Sequence, residues 1–126
     1  MVRHRLKTIS RFLAWGSIIA LAVLSLIPTE QMMRTALTGR IEHLVAYAGT
    51  ACIAATAFGE RGLFRLIFAL LIYAGSLEFL QRFSPGRTSS ILDFMFSGTG
   101  VLLGVGAFAL LARWLSTEAN GQRPSH

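Results

Sequence analysis

Charge is scarce in this 126-residue chain: 14% of its residues are charged, and only six are acidic. A soluble domain carries roughly 25% charged residues, so the chain has too little polar surface to clothe a water-facing exterior. There is one cysteine, Cys52. It excludes an internal disulfide, and inside an apolar block it reads as a small buried residue. The three histidines, His4, His43 and His126, are scattered, and their spacing gives no support to a metal site. There is no glycine-rich phosphate loop, no internal repeat and no solvated domain, and no cofactor is expected.

What the chain has is apolar sequence, 53% of it, gathered into blocks. The first runs from Phe12 to Ile27 and is closed by Pro28. The others run from about Ile41 to Phe58, Leu63 to Leu80, and Ile91 to Trp114. Thr29 to Gly39 reads as a loop and Gly59-Glu60-Arg61-Gly62 as a tight charged turn. Ser84 to Ser90 is a second loop, where Pro85-Gly86 favours a turn with glycine at positive φ. The tail from Ser116 to His126 is polar and reads as disordered. A helix needs about 20 residues to cross a hydrocarbon core of about 30 Å. The fourth block meets this, and charged or aromatic ends extend the other three into the headgroup layer. The first block follows a basic start, as in a signal peptide, but Leu24-Ser25-Leu26-Ile27-Pro28 lacks a small-x-small cleavage site. It reads as an uncleaved span. The expected fold is all-α: a polytopic membrane protein built as a four-transmembrane-helix bundle.

The net charge is +6. With no solvated domain to carry it, it excludes nucleic acid as a partner and fits anionic lipid. With the N-terminus inside, Arg3, Arg5, Lys7, Arg11, Arg61, Arg65, Arg113 and Arg123 fall inside. Arg34, Arg40, Arg82 and Arg87 fall outside. Eight against four, with the densest cluster first, favours cytoplasmic termini.

This topology gathers the expensive groups. Glu42, Glu78 and Asp93 lie in or at the edge of spans, where ionisable side chains normally face protein or a wet cavity. Arg40, Glu42, His43, Glu78, Gln81, Arg87 and Asp93 all fall at one membrane face. His43 and Tyr47 share one face of the second helix, and Glu78 and Gln81 one face of the third. Ser90 and Asp93 have the spacing of a helix N-cap with an acid at the third helical position. Plainer roles stand beside a site: Asp93 as a capping acid, His43 and Tyr47 as interfacial anchors, and Arg40, Arg82 and Arg87 facing headgroups. Glu78, behind an apolar run, is hardest to explain so, whereas Glu42 points elsewhere on its helix. Ser97, Gly100 and Gly104 would let another helix approach closely, within the bundle or in a homodimer.

The stretch Arg40-Ile41-Glu42-His43-Leu44-Val45-Ala46-Tyr47 resembles the histidine–tyrosine motif of VanZ-like membrane proteins. Glu78-Phe79-Leu80-Gln81-Arg82-Phe83-Ser84-Pro85-Gly86-Arg87 resembles their E-x-x-Q…P-x-R signature. Asp93 with Gly100 and Gly104 resembles the start of their last helix. The likeness spans Arg40 to Gly104. It departs at Gly39, where an acid is usual, and at Ser97, where asparagine is usual. It implies a bacterial inner-membrane protein, and a link to resistance against the glycopeptide teicoplanin.

The expected role is binding. An outward-facing polar pocket would hold a lipid or glycolipid headgroup, such as that of a lipid-linked envelope precursor. Arg87, with Arg40, would contact phosphate. Gln81 and Tyr47 would add neutral hydrogen bonds, and Glu78 and Asp93 would orient the cations or His43. The alternatives are an acid–base enzyme using His43 with Glu78 or Asp93 on a lipid-linked substrate, and an accessory subunit docking in a larger membrane complex through the fourth helix.

Overall fold

A computed structural model describes residues 2–28 and 39–121. It contains four α-helices: α1 (Val2–Leu26), α2 (Gly39–Phe58), α3 (Leu63–Leu80) and α4 (Ile91–Gly121). Short 3-10 turns, Glu60–Gly62 and Gln81–Phe83, flank α3. No strand occurs among the described residues. All four helices are long and apolar enough to cross a membrane. The chain is a four-transmembrane-helix bundle, and its large apolar side chains point outward. Phe12, Trp15, Phe64, Phe68, Leu110 and Trp114 are all exposed, as they are when lipid is the solvent and only the backbone must be satisfied internally.

The interior is built from small residues. Ala51, Ala54, Ala74 and Val101 are buried, with Tyr47, Leu21, Leu70 and Leu77 as the bulky members. In lipid, helices associate by close packing rather than by expelling water, so small side chains at the contact matter most. The most extensive interface joins α2 to α4. There, a Cβ on Gly100 would collide with the Leu44 carbonyl oxygen, and one on Gly104 with the Ala48 carbonyl oxygen. The small-residue face of α4 around Gly100 and Gly104 is therefore filled by α2. Across the bundle, Tyr73 in mid-α3 donates its hydroxyl to the Ile18 carbonyl of α1 at 2.5 Å.

Both tight turns form where glycine permits them. Gly59 has φ 78° and Gly86 has φ 75°. The Arg87 N–H closes the second turn on the Ser84 carbonyl at 3.2 Å, with proline second and glycine at the third position, where a type II turn requires positive φ. The loop expected over Thr29–Gly39 lies, apart from Gly39 at the head of α2, outside the described residues. At the far end the structure corrects the sequence reading: the segment from Ser116 read as disordered is helical to Gly121. Nothing in Ser116-Thr117-Glu118-Ala119 breaks a helix. Ser116 and Thr117 bond back to Ala112 and Arg113 carbonyls of the same helix. With 31 residues, at 1.5 Å each, α4 is about 46 Å long and outruns the hydrocarbon layer.

Candidate functional site

Helices alternate in direction, so the carbonyl ends of α1 and α3 meet the amide ends of α2 and α4. Each of these four ends carries polar side chains, and the contacts between them define the site.

The start of α4 is completed by another helix. Ser90 is the N-cap, its Oγ accepting the Leu92 N–H at 3.2 Å. In a self-contained capping box, the acid three residues on would reach back to the Ser90 N–H. Here Glu78 of α3 takes that N–H, at 2.6 Å to Oε1. Asp93 is thereby released, and its Oδ1 lies 3.4 Å from Nε of Arg40 on α2. It remains in the first turn of α4, where the helix dipole favours a negative charge.

One turn deeper, His43 Nδ1 lies 3.3 Å from Ser97 Oγ, and Ser97 Oγ donates to the Asp93 carbonyl at 2.9 Å. A hydroxyl has one proton, so with that proton on the Asp93 carbonyl a bond to His43 takes the tautomer protonated at Nδ1, in which Nε2 is an acceptor. The ring stacks on Tyr47, with centroids 6.4 Å apart and planes 14° apart. Tyr47 itself is part of the core.

Arg87 closes the end of α1. Its Nε donates to the Ile27 carbonyl at 3.1 Å and its Nη2 to the Leu24 carbonyl at 2.6 Å. Ser84 Oγ donates to the Leu26 carbonyl at 2.9 Å. A helix leaves its last four carbonyls without intrahelical partners, and the 84–87 turn answers two of them, Leu24 and Leu26, together with Ile27 just beyond. Burial pulls the Arg87 guanidinium below its ordinary value, against the opposing pull of Glu78 and Glu42. It stays a cation at neutral pH.

Two features are not used up in holding helices together. Gln81 is 2% exposed, and its Nε2 is buried with no hydrogen-bond partner. Leaving such a donor unmade costs about 1–3 kcal/mol, so it favours the arrival of an acceptor. The second feature is a groove of ≈ 530 Å³ between α3 and α4. Its polar wall is Glu78, Arg82, Ser89 and Ser90, and Phe79, Leu92 and Phe94 are among its apolar members. Arg82 Nε reaches Ser89 Oγ at 3.4 Å and lies 5.7 Å from the Phe79 ring centroid.

Of the residues singled out from the sequence, the structure joins Arg40 to Asp93 and His43 to Tyr47, and sets Glu78 and Arg87 on backbone groups of neighbouring helices. It buries Gln81 and leaves its Nε2 without a hydrogen-bond partner. Glu42 is half-buried in the first turn of α2, and its charge acts on Arg87. Sequence reasoning missed the roles of Ser84, Ser89, Ser97 and Tyr73, and treated Arg82 as a headgroup-facing charge. The four-residue spacing from Asp93 to Ser97, and a tyrosine within an apolar run, were the available signals.

Comparison with curated proteins and with solved structures found no match. A family model described as VanZ/LLP1 matches residues 3–112. That stretch takes in α1 and most of α4, as well as the motifs around Arg40–Tyr47 and Glu78–Arg87. A match over so much of the chain makes it a member of the VanZ/LLP1 family.

Proposed function

We propose that the polar end of the bundle binds a lipid or glycolipid headgroup of the cell envelope, and that the groove between α3 and α4 is where it sits. The observation that carries this reading is the groove's composition. It is polar at Arg82, Ser89 and Ser90 and apolar at Phe79, Leu92 and Phe94, which matches a molecule with a headgroup and a chain. Arg82 is the primary phosphate contact, since an arginine makes strong charge-assisted bonds to phosphate. Arg40, Asp93, His43 and Arg87 hold the four helix ends in register and so shape the groove.

In this reading the polar end faces outward from a bacterial inner membrane, with both termini cytoplasmic. Family membership makes an envelope precursor an attractive ligand. Sequestering such a lipid would connect the protein to glycopeptides such as teicoplanin. An acid–base enzyme on the same site is the second reading. It is favoured by His43, whose Nε2 can accept a proton in the tautomer that bonds Ser97 through Nδ1–H. Against Ser97 as its nucleophile stands the hydroxyl proton, already given to the Asp93 carbonyl.

Native mass spectrometry of the protein extracted gently from its own membrane tests the headgroup reading. Wild type should retain a lipid that Arg82→Ala loses, because Arg82 caps no helix and its loss leaves the fold intact. Equal retention by the two would sink the proposal. Product formation from a lipid-linked substrate, abolished in His43→Ala with lipid retention kept, would instead establish the enzyme.

A further inference from the structure

Glu78 and Arg82 stand four residues apart on one helical face, with the acid on the N-terminal side. This is the arrangement in which such a pair attracts best. They do not pair with each other. Glu78 turns its Oε1 to the Ser90 N–H, and Arg82 turns to Ser89 Oγ and the Phe79 ring. Neither side chain makes a further hydrogen bond among the described residues, although the charge of Glu78 also acts on Arg87. Both line the same groove, so its polar wall holds one anionic and one cationic group set apart.

A fully anionic headgroup would satisfy Arg82 and be repelled by Glu78, a carboxylate only 8% exposed and so poorly screened by water. A headgroup of net zero charge, with its own anion and cation a few bonds apart, answers both. The cation must also donate hydrogen bonds, because carboxylate oxygens only accept. A primary ammonium does this and a quaternary one does not. The apolar wall at Phe79, Leu92 and Phe94 calls for an attached chain rather than a soluble phosphate ester.

We infer that the groove between α3 and α4 selects a zwitterionic aminophospholipid, its phosphodiester on Arg82 and Ser89 and its primary ammonium on Glu78. The inference rests on the headgroup reading above and narrows it to one ligand class. Glu78→Gln is the discriminating variant, because it keeps an oxygen for the Ser90 N–H and removes only the charge.

The test is competition in nanodiscs of equal phosphatidylethanolamine, phosphatidylglycerol and phosphatidylcholine, read by native mass spectrometry of the released protein. Wild type should retain phosphatidylethanolamine over each of the others by about fivefold, the worth of one partly screened ion pair. Glu78→Gln should bring the ratio over phosphatidylglycerol to one or below. Arg82→Ala should lose all three lipids. If wild type favours phosphatidylglycerol, or if Glu78→Gln leaves the ratio unchanged, the zwitterion is wrong. The headgroup site then still stands, provided Arg82→Ala loses lipid. If Arg82→Ala retains lipid as wild type does, the headgroup site itself falls.

Discussion

Replacing Gly100 with alanine is the sharpest test of the packing between α2 and α4. The new Cβ would come closer than 3.0 Å to the Leu44 carbonyl oxygen, a distance real Cβ atoms essentially never show. The neighbour is backbone, so the two helices must move apart. Overpacking of this kind costs about 1–3 kcal/mol. The strain also reaches the site, since Ser97 lies one turn away on the same face. Its 3.3 Å contact with His43 needs only ~0.3 Å more to pass out of hydrogen-bonding range, which adds roughly 1 kcal/mol. Alanine returns about 1 kcal/mol through helix propensity, for a net loss of about 1–3 kcal/mol. Gly106 supplies the control. It lies in the same helix with nothing within 4 Å of its added Cβ, so Gly106→Ala should gain up to about 1 kcal/mol. Equilibrium unfolding of both variants in mixed sodium dodecyl sulfate micelles measures the difference. Gly100→Ala as stable as Gly106→Ala would refute the close approach of the helices.

Three further outcomes are expected. Glu78→Ala should destabilise the protein by about 1–3 kcal/mol by stranding the Ser90 N–H, and Glu78→Gln by much less. Adding Asp93→Glu to Glu78→Ala should recover part of the loss in the same unfolding assay, by completing a cap within α4. Arg87→Ala should fray the end of α1, raising amide exchange at Ile27, whose N–H bonds to the Val23 carbonyl, by at least about tenfold; an unchanged rate would mean that α1 does not depend on Arg87. With Cys52 replaced by alanine, an impermeant thiol reagent added outside the cell should label Ser89→Cys but not Ser116→Cys, and the opposite pattern would invert the proposed orientation.

The helices were legible because each apolar block is long and the breaks between them carry turn chemistry. Pro85-Gly86 and Gly59 announced their turns through steric rules that operate within four residues. Counting helix directions then sufficed to bring Arg40, His43, Glu78 and Asp93 to one end. The partners at that end were not legible. Arg87 could be read as a phosphate contact because its acceptors are carbonyls of α1, and a carbonyl looks the same at every position in a sequence. Ser90 and Asp93 had the spacing of a capping box, yet the capping acid is Glu78, chosen by helix packing rather than by local spacing. Gly100 and Gly104 declared a close contact without naming the partner. The segment after Ser116 was misread because polarity was taken for disorder, although it contains no helix breaker before Gly121.

The contacts at the polar end also differ in when they can form. Glu78 and Ser90 are 12 positions apart, so at about 5–20 residues per second the start of α4 meets its cap almost as soon as it is made. His43 waits for Ser97 across 54 positions, roughly 3–10 s of synthesis. The carbonyls of Leu24, Leu26 and Ile27 wait across 58 to 63 positions for Ser84 and Arg87. The first helical pair therefore enters the membrane with its polar end unfinished, and the second pair arrives carrying the parts that close it. A ribosome stalled before Ser84 would leave α1 and α2 with bare carbonyls and an unmatched Arg40.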